Sequence, residues 1–171
     1  MANEVNTEVQ ALASTEPDVR TMRWLMAAFF KLTPRIGISA GTTLNMARAL
    51  HQFCTINLDT ATGSTCNLPP ATGSGAKYKF RVSVLATSNS HLIKCIGSDK
   101  YEGFVFTMSD DPVTVKGFFA VAGTSVTITL NRTTTGSVTI GEEITVEDVA
   151  PNRYHVSGFT SSTGSEATPF S

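Results

Sequence analysis

Charge is scarce in this chain, in both signs. Lys, Arg, Asp and Glu make up 16% of the 171 residues and sum to a net charge of −1. Neutralising a phosphate backbone needs a basic excess that is missing here, which excludes nucleic acid as the main partner. Cysteine is almost absent. Cys54, Cys66 and Cys95 are odd in number and show no CxxC spacing, which argues against a disulfide framework and a zinc site and predicts reduced, packed thiols. The longest apolar run, Trp24 to Phe30, is seven residues, far short of the ~20 that span a bilayer, so no membrane partner is expected. Residues 1–17 carry three glutamates, no basic cluster and no early apolar run. That is not the pattern of a secretory signal, and a soluble protein is expected.

The motifs of catalysis are missing as well. No Gly-x-Ser-x-Gly occurs, and Gly73-Ser74-Gly75 lacks the strand-to-helix setting of a nucleophile elbow. No Lys-Ser or Lys-Thr follows it, and the next element reads as a strand, so it is not a phosphate loop either. His51, His91 and His155 stand in separate strands or at their edges, where a backbone partner is expected rather than a metal. Asp110-Asp111 and Glu142-Glu143 are adjacent carboxylates, and neighbours in a strand point to opposite faces, which denies them a shared substrate. Asp110-Asp111 before Pro112 reads as turn chemistry. No enzyme activity, cofactor or metal is expected. The Asn131-Arg132-Thr133 sequon carries little meaning without a secretory route.

Hydroxyl groups are what the chain has in plenty: Ser and Thr make up about a quarter of it. Its length is that of one domain, able to bury roughly 70% of the surface its unfolded chain exposes. Residues 1–37 read as a polar arm carrying a helix over about 16–32. Thr15 is the candidate N-cap, Pro17 and Asp18 occupy the first turn, Lys31 lies near the end and Pro34 stops it. Val19, Met22, Met26, Phe29 and Phe30 share one face, which Trp24 and Leu25 widen.

From Thr42 onward the hydrophobic period is two. Candidate strands cover Phe53–Leu58, Ser64–Leu68, Lys77–Leu85, His91–Ile96, Gly103–Met108, Val113–Phe119, Ser125–Leu130, Glu142–Val149 and Asn152–Gly158, separated by Gly, Pro, Asp and Thr turns. Short strands at this spacing predict a mainly β fold, an antiparallel β-sandwich or barrel, over residues 38–171. Tyr78, Phe80, Phe104, Phe106 and Tyr154 are expected to point inward. Lys77, Lys79 and Arg81 form a cationic strand face, and Glu143, Thr145 and Glu147 a face of opposite sign. The two either pair, across neighbouring strands or across a subunit boundary, or stand as solvated faces.

Three segments add a resemblance: Leu68-Pro69-Pro70-Ala71-Thr72-Gly73-Ser74-Gly75-Ala76-Lys77-Tyr78-Lys79-Phe80, Thr133-Thr134-Thr135-Gly136, and Gly164-Ser165-Glu166-Ala167-Thr168-Pro169-Phe170-Ser171. The stretch from about Thr42 to Ser171 resembles the head decoration, or cement, proteins of tailed bacteriophages. These carry an LPxATGSGAKY turn, a TTTG loop and a GTEATPFS ending, from which the chain departs by Ser165 in place of Thr. The resemblance implies a structural virion protein, made in the host cytoplasm, that binds the outside of the capsid and reinforces capsomer contacts. Its implied partners are the major capsid protein and itself, as a homotrimer. Trp24, Met26, Phe29 and Phe30 on the helix, and Lys79, Arg81, Glu143 and Glu147 on the strands, are then the candidate capsid or subunit contacts. The competing expectation is a carbohydrate- or receptor-binding module of a phage fibre.

Overall fold

Alternation of apolar and polar residues builds eleven strands among the described residues of the computed structural model, which are 37–110 and 113–171, Val113 by its backbone alone. The expected helix with Trp24, Met26, Phe29 and Phe30 lies outside them, as do Asp111 and Pro112. In chain order the elements are β1 (Gly37–Ser39), β2 (Thr43–Asn45), α1 (Arg48–His51), β3 (Thr55–Leu58), β4 (Thr65–Asn67), β5 (Lys77–Val82), β6 (His91–Lys94), β7 (Lys100–Asp110), β8 (Val113–Phe119), β9 (Thr127–Leu130), β10 (Glu143–Ala150) and β11 (Arg153–Ser162).

The protein is mainly β, in two mixed sheets, ordered β1-β3-β5-β10-β11-β7-β8 and β2-β4-β6-β9. The expectation of purely antiparallel pairing is corrected here. β1/β3, β3/β5, β2/β4, β4/β6 and β11/β7 are parallel pairs, whereas β5/β10, β10/β11, β7/β8 and β6/β9 are antiparallel. The cause lies in the turns. From β1 to β7 successive strands alternate between the sheets, so turns such as Asp59–Gly63 and Leu68–Ala76 are corners rather than hairpins. A chain that leaves a sheet at every turn and returns two strands later re-enters it in its former direction.

Both sheets contribute to one core. Ile56, Leu58, Tyr78, Phe80, Val105, Ile144, Val146, Tyr154 and Val156 come from the larger sheet, and Cys66, Ile93, Ile128 and Leu130 from the smaller, all of them buried. Tyr154 packs between Tyr78 and Tyr101, each ring centroid 6.5 Å away. The hydroxyls of Tyr101 and Tyr154 donate to the carbonyls of Ile93 and Pro69, which makes these large side chains tolerable inside. Gly103 lets β7 close on β11: its φ is +108°, and a Cβ there would stand 2.2 Å from the Val156 carbonyl oxygen.

Candidate interaction surface

The segments that carry the resemblance fold as anchored loops. Asp148 on β10 has a fully buried side chain. Its carboxylate accepts hydrogen bonds from the backbone N–H of Thr72 (2.9 Å), Gly73 (2.6 Å) and Ser74 (3.2 Å), from the hydroxyls of Thr72 and Ser74, and from the Arg48 guanidinium at 3.4 Å. Burial alone would raise its pKa, but the Ser74 hydroxyl and the three N–H groups outweigh that and lower it. The loop after the Pro-Pro corner is thus wrapped around one carboxylate. Gly73, at φ +77°, lies where a Cβ would meet the Ala150 backbone at 3.2 Å.

The Thr133–Gly136 loop is held the same way by a neutral acceptor. Asn131 Oδ1 takes the N–H groups of Thr133, Thr134 and Thr135 at 3.0, 2.8 and 3.1 Å. Glu142, also buried, takes those of Ser137, Val138 and Thr139 and the Ser161 hydroxyl. The closing segment then fastens onto this loop and onto β9. Thr163 and Ala167 donate to the carbonyls of Thr133 and Thr134, Thr129 donates to Pro169, and Thr127 and Ser171 exchange two bonds. Glu166 binds Lys116 at 2.8 Å and the Thr114 hydroxyl, and these partners hold its carboxyl at about 2.

The histidines and cysteines serve packing. His91 is fully buried, accepts the Ser64 N–H at Nδ1 and donates from Nε2 to the Val84 carbonyl, both at 2.9 Å. His51, in α1 rather than in a strand, bonds the Ala47 backbone. His155 is half-buried, level with Glu147 on one side and Glu102 on the other. The three cysteines are thiols outside any disulfide, and burial pushes those of Cys66 and Cys95 up to about 12. Among the described residues no three His, Cys, Asp or Glu side chains converge as metal ligands. Two shallow concavities, of about 170 and 260 Å³, are lined in part by Tyr101 and Arg153 and by Leu85 and Arg132.

The outer face of the larger sheet changes character across its width. On its β5/β10 side Lys79 pairs with Glu143 at 2.7 Å and Lys77 with Glu147 at 3.2 Å, all within one chain. Arg81 is exposed and stands opposite Glu143 in register. The sequence-predicted charged residues are therefore brought together, across neighbouring strands. Toward β8 the same face turns apolar. Phe104, Phe106 and Met108 of β7, Val115 and Phe119 of β8, and Phe159 of β11 share it. Phe104 meets Phe106 edge-on at 5.3 Å and Phe119 at 6.0 Å, and Phe106 stacks on Phe159 at 5.8 Å. Gly117 sits under the Phe106 ring, where a Cβ would come within 3.4 Å.

This face corrects the expectation that Phe104 and Phe106 point inward. A period of two places them together with Met108 but does not say on which side. The inner side of β7 is instead filled by Tyr101, Val105, Thr107 and Ser109. Thr107 bonds Thr160, and Ser109 bonds the Gly164 carbonyl of the closing segment, so the far end of the interior is polar and the aromatic side is left outside. Phe119 and Phe159 were not singled out by the sequence reasoning. The signal that could have found them was the crowding of five phenylalanines into β7, β8 and β11, more than one buried face can use.

Comparison of the chain with known protein families, with curated proteins and with solved structures finds no match.

Proposed function

We propose that this protein is a structural, non-enzymatic component of a bacteriophage virion, a decoration protein that binds the outside of the capsid and reinforces contacts between capsomers. The observation that carries the reading is the apolar outer face of β11, β7 and β8. It offers wide, flat contact without a pocket, which suits assembly with other protein surfaces, further copies of the chain included, rather than turnover of a small molecule. The Leu68–Phe80, Thr133–Gly136 and Gly164–Ser171 motifs narrow that role to capsid decoration, with the major capsid protein as partner and a homotrimer as the working unit. A trimer seated on many equivalent sites gains avidity from modest individual contacts. In the same reading the two sheets stack as a sandwich over their common core, and Trp24, Met26, Phe29 and Phe30 join the contacts with the shell.

The exposed phenylalanines also favour a second reading, a carbohydrate- or receptor-binding module of a fibre, because exposed rings can stack on sugars. Met108 and Val115 continue the face, however, as exposed apolar side chains that cannot select a sugar by hydrogen bonding. Purified virions and undecorated capsids separate the two. A decoration protein co-sediments with capsids and saturates many equivalent sites per particle. Failure to bind capsids, with only a few copies per virion, would overturn the proposal in favour of the fibre.

A further inference from the structure

We propose that the Phe119–Phe159 face of the larger sheet is buried against a second copy of this chain. The inference deepens the multimer part of the reading above and does not require the capsid. Phe106, Met108, Val115, Phe119 and Phe159 remain 38%, 49%, 58%, 73% and 63% exposed. With 150–250 Å² carried by each aromatic side chain, that leaves on the order of 500 Å² of contiguous apolar surface, at the upper end of what a solitary soluble domain shows. A standard interface takes ~800 Å² from each partner. The face alone therefore supplies most of one side of a stable contact, and a polar rim completes it.

Its make-up fits a copy of itself better than a charged partner. The centre holds phenylalanine, methionine and valine without a charge, the composition enriched in the middle of protein interfaces. The bordering Glu143 is already neutralised by Lys79 of the same chain, so two such faces meet without burying an unpaired charge. The strand edge is a weaker candidate for the same role. Ala120 donates to Gly103, so by alternation the N–H and C=O groups of Val115, Gly117 and Phe119 point off the edge of β8. Edge pairing alone would nevertheless leave Phe159, two strands inward, uncovered.

The test is analytical ultracentrifugation of the full chain at micromolar concentration, with circular dichroism melts alongside. Wild type should sediment as a multimer. The double substitution Phe119→Ser/Phe159→Ser should weaken self-association by ~100-fold or more while melting within a few degrees of wild type, since both rings are exposed. Leu50→Ser, which removes an equally exposed apolar side chain outside the face, should associate as wild type does. A monomeric wild type would overturn the proposal, and would point to the shell as occupant if the double substitution then abolished capsid co-sedimentation. Unchanged association of the double variant would also defeat it, as would equal dissociation by Leu50→Ser. A wild-type multimer that the double variant dissolves, with neither protein binding capsids, would uphold this inference while removing the decoration reading.

Discussion

Asp148 shows how much rests on single polar side chains in a fold whose turns are long and glycine-rich. Its carboxylate supplies the acceptor for three consecutive N–H groups of another loop. Asp148→Asn would remove the charge and turn an amide NH₂ toward those donors. We expect ~2–4 kcal/mol of lost stability by chemical denaturation, the range for breaking a buried, charge-assisted cluster. Three depressed pKa values set the acid response, that of His91 in the upper range and those of Asp148 and Glu166 in the lower. Burial lowers that of His91 from its ordinary 6.5, so its contribution is complete above pH 6.5 and is lost as the pH falls through its lower folded value. Asp148 follows the same sign from its ordinary 3.8: its contribution is present above that value and lost as the pH falls through the folded one. Melting temperature should therefore decline in two steps on acidification. His91→Gln, which keeps a donor and an acceptor, should flatten the upper step. From sequence, Gly73-Ser74-Gly75 was legible as a turn and His91 as a backbone-bonded histidine. The role of Asp148 was not, because nothing local to β10 records that a loop far back in the chain needs an acceptor.

At the scale of elements, period two located nine strands close to where they lie, since alternation is a local property. It missed two kinds of feature whose cause is a partner elsewhere. The short β1 and β2 have few alternating residues and exist by pairing with β3 and β4. The closing Gly164–Ser171 segment read as a polar tail, yet it runs along β9, where Phe170 bridges Ile128 and is buried. Phe170→Ala should cost ~3–5 kcal/mol, as for other buried phenylalanines, measured by urea unfolding. If the segment were a loose tail the loss would be negligible. The parallel pairings were hidden for the same reason: a Gly- or Pro-rich turn announces a change of direction but not whether the next strand returns to the same sheet.

For the molecule as a whole, residues 37–171 hold a core drawn from both sheets. Removing residues 1–36 should therefore leave a cooperatively melting β domain, and a non-cooperative melt would show otherwise. Because Lys79–Glu143 and Lys77–Glu147 close within the chain and such exposed pairs contribute little, self-association through the phenylalanine face should survive high salt. Dissociation on adding sodium chloride would instead assign the contact to charge. The interleaved strand order has a further consequence, in time rather than in space. β5 lies between β3 and β10, and β7 between β11 and β8, so the middle of the larger sheet cannot close until the last two strands have left the ribosome. Until then the growing chain carries open strand edges with no permanent partner. Pairings this distant in sequence form slowly, and exposed edges at that stage invite aggregation. The yield of native protein should accordingly depend on the rate and temperature of synthesis more than on the final stability of the fold.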